Sequence, residues 1–146
     1  METWELVARE SIRDLVARYN ASGDAGRFET MLELFTDDAV LVVPDGTHQG
    51  RENIRVFFES VAIGNGRRPG GRLIRHFTAT HQIDVLDPDA ARGRCYYQVL
   101  TDAGLDHWGR YVDRYRRTDA GWRFQERQVS IDGTVPGGWA ADRLKP

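Results

Sequence analysis

Four histidines stand out in this sequence as side chains that can exchange a proton near neutral pH. They are His48, His76, His81 and His107. No His-x-His pair occurs among them, and no histidine–carboxylate cluster has the spacing of metal ligands. His76 and His81 are five residues apart, which predicts opposite faces of a regular strand. We therefore expect no metal centre, and the histidines are considered as acid–base groups.

Two further kinds of chemistry are not expected. Cys95 is the only cysteine, which excludes an internal disulfide and a multi-cysteine zinc site. It has no obvious activating neighbour in the sequence, so it is expected to be inert. The glycine-rich stretch 64–71 predicts a mobile loop, but it lacks the lysine and the following helix of a phosphate-binding loop. A nucleotide site is therefore not expected.

Length and charge are typical of a single soluble domain. The chain has 146 residues, with 22 acidic against 20 basic side chains and a net charge of −2. A nucleic-acid binder would normally carry a basic excess. No apolar run approaches the roughly 20 residues that span a bilayer, and the acidic N-terminus does not resemble a signal peptide. We expect a cytoplasmic protein that binds neither nucleic acid nor membrane.

The first half of the chain predicts three helices. Apolar residues recur every three or four positions from Trp4 to Tyr19, and the chain is expected to loosen at 20–23. The same spacing over 28–35 and 51–62 predicts the second and third helices. Between these two, 39–43 is a β-branched run closed by Pro-Asp-Gly, which predicts a short buried strand.

The second half changes to a period of two. Strands are predicted over 72–86, 91–101, 105–117 and 121–131, with short turns between them, and 133–146 is expected to be an irregular tail. In the first of these strands, His76 is expected on the polar face, opposite Phe77 and Ile83. Three helices packed on one face of a curved, mostly antiparallel sheet give an α+β fold in one domain over 1–146, with its core at 5–131.

At the level of motifs, the chain resembles the SnoaL-like branch of the nuclear-transport-factor-2-like superfamily over about residues 5–131. The likeness lies in an Arg-Tyr helix end followed by Asp24, a Phe-Thr-Asp-Asp-Ala strand entry, a Gly-Arg-Glu-x-Ile helix start, an Arg-His strand and a late Gly-Trp-Arg. The resemblance implies a cone-shaped scaffold that encloses a deep, mostly apolar pocket for a small hydrophobic ligand. The superfamily includes several enzyme classes and non-catalytic binders on this one fold.

The resemblance also assigns candidate residues. Ketosteroid isomerase relatives carry a carboxylate just before the proline that ends the first strand, where this chain has Val43, so that chemistry is not expected. The group of scytalone dehydratase, bile acid 7α-dehydratase and hexachlorocyclohexane dehydrochlorinase uses an Asp after the first helix and a His on the first long strand. Asp24 and His76 occupy these positions, with Tyr19 at the helix end.

Such a pair would perform acid–base chemistry. The carboxylate of Asp24 would fix the tautomer of His76 and stabilise its imidazolium, so that the ring can remove a proton next to a carbonyl. Tyr19 and Arg127 are the candidates for polarising the substrate oxygen. The remaining candidate pocket residues are Tyr97, Tyr111, His107 and Phe57.

Each assignment has a purely structural alternative. Asp24 could cap the second helix, and Tyr19 could be an ordinary core residue. His76 could be exposed on a polar strand face, and Arg127 could be exposed or ion-paired. His81 is expected to be a core or interface residue, and His48 to be solvated in a turn.

The sequence therefore supports a small cofactor-independent dehydratase, isomerase or cyclase that acts on a hydrophobic ring-containing carbonyl compound. The alternatives are a binding module without catalysis and, more weakly, the small subunit of a ring-hydroxylating oxygenase. The free face of the sheet carries Trp, Tyr and Val, so a homodimer is expected, with a trimer as the second possibility.

Overall fold

A computed structural model describes residues 1–64 and 73–143 of the chain. The predicted loop at 64–71 lies, except for its first residue, outside the described residues. The helices are α1 (Thr3–Asp24), α2 (Phe28–Leu32), α3 (Arg51–Gly64) and α4 (Trp139–Arg143). The strands are β1 (Phe35–Val43), β2 (Gly46–Gln49), β3 (Ile74–Asp87), β4 (Ala90–Thr101), β5 (Gly104–Thr118) and β6 (Gly121–Thr134).

The six strands form one sheet in the order β2-β1-β6-β5-β4-β3. Strands β3 to β6 form the predicted antiparallel meander, and β1 pairs in parallel with β6. Helix α1 contacts β3 and β6, whereas α3 contacts β1 and β2. The α+β arrangement of helices on one side of a curved sheet is confirmed, and it places the apolar core between the two layers.

The predicted end of the first helix was wrong. The helix continues through the segment 20–23 and ends at Asp24. Asn20 and Ser22 are buried in this last turn, so packing overrides their weak helix propensity. At the other end of α1, Trp4 and Val7 are exposed rather than part of the buried stripe.

The second helix is shorter than its apolar spacing predicted. It ends at Leu32, and Phe35 begins β1 instead, where it pairs with Phe124 of β6. Both rings are fully buried and their centroids are 5.3 Å apart. Strand pairing together with aromatic packing therefore outweighs the helical spacing at this position.

A β-bulge changes the faces of β3 halfway along the strand. Between Ala79 and Gln82, β3 contains one residue more than the segment of β4 that it pairs with. Thr80, within this bulge, adopts a left-handed φ of 54°. The predicted alternation is therefore wrong in the first half of the strand, where His76 lies on the inner, half-buried face and Phe77 is exposed. His76 and His81 consequently share the inner face rather than lying on opposite faces.

The C-terminal segment is more regular than predicted. Strand β6 extends to Thr134, and α4 follows at Trp139. None of the helices in the described part of the chain is long and apolar enough to cross a membrane. The outer face of the sheet exposes Phe77, Tyr96 and Trp108. The homodimer that such a face suggests stays a prediction.

Candidate active site

A cavity of about 260 Å³ lies between the helices and the inner face of the sheet. Apolar side chains from α2, α3 and β1 form much of its wall. The polar side chains that line it are Tyr19, Asn20, Asp45, His76, Tyr97, Thr101, His107 and Tyr111. The apolar cavity that the family resemblance implies is therefore present, with a small number of convergent polar groups.

Two larger depressions lie elsewhere on the surface. A groove of about 930 Å³ runs beside α1 past Trp4 and Trp122, and a second of about 490 Å³ lies near Asp38 and Arg116. Both are open, and no histidine occurs among their described lining residues. The smaller inner cavity is the least open of the three and is the one lined by histidines, so it is the candidate site.

Asp24 and His76 meet at this cavity. One carboxylate oxygen of Asp24 lies 2.5 Å from the ring Nδ1 of His76, and the other accepts the backbone N–H of His76 at 3.0 Å. An ionised carboxylate only accepts hydrogen bonds, so Nδ1 carries the ring proton. The Nε2 atom then holds the free lone pair, and no described residue forms a hydrogen bond with it.

The positions of the two residues follow from the local structure. Asp24 is the last residue of α1, and its side chain is 10% exposed. It does not cap α2, because the cap position there is Arg27, without a side-chain hydrogen bond. His76 lies near the start of β3, before the bulge, where its side chain points inward. The end of the long helix and the start of the strand therefore bring the carboxylate against the imidazole.

Tyr19 lies one helical turn and a residue before Asp24 and lines the same cavity. Its ring makes edge contacts with Phe35, Phe58, Tyr111 and Phe124. Burial raises the pKa of the Tyr19 phenol, and the positive charge of Arg127 opposes this rise. The phenol is therefore protonated at neutral pH and can donate a hydrogen bond.

Tyr97 and Tyr111 form the floor of the cavity. Their rings are stacked, with centroids 4.5 Å apart. The Tyr97 hydroxyl donates to the carbonyl oxygen of Ser130 at 3.0 Å, where Gly109 lets the strands approach closely because any Cβ would collide with that oxygen. The Tyr111 hydroxyl donates to Oδ1 of Asn20 at 3.3 Å. Burial raises the pKa of both phenols, so they are neutral wall residues.

His107 also lines the cavity, and it has its own carboxylate partner. Its Nδ1 lies 2.7 Å from Oδ2 of Asp106, and both residues are buried. Burial lowers the pKa of His107, so its ring is neutral at neutral pH. Phe57 lines the opposite wall and is half-buried.

Arg127 does not lie where the sequence placed it. It is fully buried and does not line the cavity. Its guanidinium donates two hydrogen bonds to Asp113, at 2.8 and 2.7 Å, and packs over three aromatic rings, those of Tyr19, Tyr111 and Phe124. Direct contact between Arg127 and a substrate oxygen is therefore not supported, because the ion pair lies beneath the aromatic floor.

Comparison with known proteins identifies the family. The SnoaL-like domain family matches residues 4–128 of the chain. The chain belongs to the SnoaL-like domain family. No curated protein sequence is significantly similar to this SnoaL-like protein.

Solved structures share its fold. An NTF2-like protein with a cystatin-like fold from Novosphingobium aromaticivorans is 28% identical, with a TM-score of 0.72 over 97% of this chain and 90% of that one. A candidate scytalone dehydratase from the same species is 19% identical, with a TM-score of 0.80 over 92% and 91%. The hexachlorocyclohexane dehydrochlorinase LinA-type3 from Novosphingobium barchaimii is 19% identical, with a TM-score of 0.75 over 92% and 94%. The last two likenesses concern the fold alone.

Sequence reasoning missed several residues of this SnoaL-like site. Asn20 and Trp139 line the cavity, and Asp106 holds His107 from behind. The detectable signal for Asn20 was its position one residue after Tyr19, at the end of the apolar stripe of α1, and the structure shows that it is buried. Trp139 and Asp106 carried no usable signal, since their placement depends on α4 and on an irregularity in β5.

The other histidines and the cysteine lie outside the cavity. His81 contacts the Tyr115 hydroxyl at 3.2 Å, and His48 packs on Phe57 with ring centroids 4.6 Å apart. Burial raises the pKa of Cys95 to about 11, so its thiol is protonated at neutral pH. Among the described residues, no three His, Cys, Asp or Glu side chains are grouped closely enough to hold a metal ion.

Proposed function

We propose that this SnoaL-like protein is a small lyase or isomerase of the dehydratase type, and that it acts on a neutral, ring-containing carbonyl compound. The observation that carries the proposal is the contact between Asp24 and His76 at the apolar cavity. The reaction uses only side chains of the chain and requires no cofactor.

His76 is the base in this reaction. Its Nε2 lone pair takes a proton from the carbon next to the substrate carbonyl, and the electron pair left behind forms an enolate. The enolate collapses, a carbon–carbon double bond forms, and the bond from the β-carbon to a hydroxyl group breaks. The imidazolium of His76 returns its proton to the departing oxygen, so that water leaves and the ring is neutral again. In an isomerase, the same proton would return to another carbon.

Asp24 makes this base effective in two ways. It holds the tautomer that points Nε2 away from the carboxylate, and it stabilises the positive charge that forms on the ring. The second hydrogen bond, from the His76 backbone, prevents the carboxylate from rotating away. The two side chains are therefore already oriented before a substrate binds, and little reorganisation is needed during proton transfer.

The enolate oxygen needs hydrogen-bond donors, and α1 supplies two. The Tyr19 phenol and the side-chain amide of Asn20 both line the cavity. Because Oδ1 of Asn20 already accepts from Tyr111, its Nδ2 is the group left to donate to a ligand. Donors that are fixed in an apolar, enclosed site stabilise a developing negative charge more strongly than the same donors in water.

Two observations favour catalysis over binding alone. The Asp24 carboxylate gives His76 what a base needs, a fixed tautomer and a negative charge beside the imidazolium. Tyr19, a protonated phenol at the same cavity, supplies a donor for the enolate oxygen. Both features match the needs of proton abstraction.

The proposal is tested with a panel of cyclic β-hydroxy ketones, by following the ultraviolet absorbance of the conjugated enone that dehydration forms. His76→Ala is expected to lower turnover at least about a hundredfold without unfolding the protein. The matched control is His48→Ala, which removes an imidazole outside the cavity and is expected to leave turnover unchanged. Equal turnover by wild type and His76→Ala would refute the assignment.

A further inference from the structure

The cavity contains a second histidine–aspartate pair that the proposed reaction does not use. His107 lies directly across the sheet from His76: Val99 of β4 pairs with His76 on one side and with His107 on the other. Two neighbouring strand spacings place the two histidine Cα atoms about 10 Å apart. Both rings line the cavity, at opposite ends of one row of side chains.

Asp106 is held rigidly behind His107. One of its oxygens accepts the backbone N–H of Trp139 at 2.7 Å, and the other accepts that of Ala140 at 3.2 Å as well as Nδ1 of His107. Burial disfavours ionisation of this carboxyl, but the hydrogen bonds from His107 and from the two amides outweigh it, and the pKa of Asp106 is lowered. Asp106 is therefore an ionised acceptor that fixes the proton of His107 on Nδ1.

The free Nε2 of His107 is consequently a hydrogen-bond acceptor. The ring is buried and neutral, and no described residue forms a hydrogen bond with Nε2. His107 is buried as a residue, but its Nε2 is not among the described buried polar atoms without a partner, so this atom is accessible from the cavity that the ring lines. A donor on a ligand in the cavity can therefore reach it.

Neighbouring hydroxyl groups do not supply that donor. The hydroxyl protons of Tyr97 and Tyr111 are directed to Ser130 and Asn20, and Thr101 is hydrogen-bonded within its own turn. The sheet side of the cavity therefore presents two imidazole acceptors, whereas the donors Tyr19 and Asn20 lie on α1.

We propose that His107 is a specificity residue that accepts a hydrogen bond from a hydroxyl group on the substrate ring. This hydroxyl is distinct from the acidic C–H bond that His76 attacks. The inference rests on the proposed function and narrows it to neutral, hydroxylated cyclic carbonyl compounds, such as phenols or enols that also carry a ketone.

The charge of the cavity agrees with a neutral substrate. No Lys or Arg occurs among its described lining residues, whereas the carboxylate of Asp45 lies exposed at its edge. A carboxylate or phosphate ester would therefore lose its hydration without gaining an opposite charge from the described lining residues. A phenolic or enolic hydroxyl is uncharged at neutral pH and donates the one bond that His107 lacks.

The test compares two probes of nearly equal shape, 2-naphthol and 2-methylnaphthalene, which differ by a hydroxyl in place of a methyl group. Calorimetric titration gives the ratio of their dissociation constants, in which the shared apolar contribution cancels. We expect 2-naphthol to bind the wild-type protein at least about fivefold more tightly, since a net hydrogen bond contributes about 1 kcal/mol. His107→Phe is expected to remove most of this preference, and the matched control His48→Phe is expected to keep it.

Three results would overturn the proposal. The first is a ratio of the two dissociation constants near one in the wild-type protein. The second is a preference for 2-naphthol that His107→Phe keeps, and the third is a preference that His76→Phe removes instead. If His107→Phe does not fold, ¹⁵N NMR of the wild-type protein decides the question. Adding 2-naphthol must then shift the Nε2 resonance of His107 more than adding 2-methylnaphthalene does. Because binding needs no turnover, this result is independent of whether His76 catalyses dehydration.

Discussion

His76 and His107 lie on one cross-strand row of the sheet, separated by a single residue, and each is hydrogen-bonded through Nδ1 to an aspartate. The two carboxylates come from different elements: Asp24 ends α1, and Asp106 lies in β5. Both imidazoles are therefore fixed in the tautomer that turns Nε2 away from the carboxylate. A ligand in this cavity meets two acceptors on the sheet side and donors on the helix side.

The orientation of His76 depends on the charge of Asp24. In Asp24→Asn the amide can still accept the His76 backbone N–H, but its NH₂ group can donate to Nδ1 and favour the other tautomer. We expect turnover to fall about a hundredfold. Long-range ¹⁵N NMR is expected to show the ring proton on Nδ1 in the wild-type protein and on Nε2 in the variant. Asp14→Asn, on the exposed side of α1, is the control and should change neither result.

Arg127 contributes to stability rather than to substrate contact. Its ion pair with Asp113 is fully buried, so Arg127→Met leaves an unpaired carboxylate in the core. We expect the free energy of unfolding in urea to fall by about 3–5 kcal/mol. The matched control is Arg110→Met, because Arg110 pairs with Asp132 at 3.1 Å on the exposed face, and its loss should cost only about 0–1 kcal/mol. Similar losses in the two variants would contradict this assignment.

The buried histidines make stability depend on pH. Burial lowers the pKa of His107 and of His81 below the usual value, so the unfolded chain binds protons that the folded chain does not. The free energy of unfolding should therefore be constant above about pH 7 and should decrease as the pH falls through about 6.5. The lowered pKa of Asp106 acts at lower pH, below about 4.

Urea titrations at pH 7.5 and 5.5 measure this dependence. His107→Phe removes one of the two groups, so its stability difference between the two pH values should be smaller than that of the wild type. An equal difference in the two proteins would show that His107 titrates alike in the folded and unfolded states.

The arrangement of the strands in the sheet was predictable because it depends on simple sequence patterns. Alternating residues and short Asp/Gly turns correctly predicted strands β3 to β6 and their antiparallel pairing. The position of Asp24 and His76 came from the family resemblance, since nothing in the spacing of two residues 52 positions apart indicates contact.

Bulges account for the errors at the site. The extra residue near Thr80 reverses the alternation of side chains along β3. His76 and His81 therefore lie on the same face, whereas a regular strand would place them on opposite faces. The register between β4 and β5 also shifts next to Val99, where Asp106 is the additional residue on β5. Because of that shift, the adjacent residues Asp106 and His107 are both buried. In a regular strand, neighbouring side chains would point to opposite faces.

The most direct test of the account measures proton abstraction without requiring the natural leaving group. The probe is 2-tetralone, a ring ketone with acidic α-protons, at concentrations where calorimetry shows that it binds. Proton NMR in D₂O follows the exchange of these protons for deuterium. The wild-type protein is expected to accelerate exchange well above the buffer rate, and His76→Ala is expected to lose at least about 99% of that acceleration. If His76→Ala binds 2-tetralone and exchanges its protons as fast as the wild type, His76 is not the base.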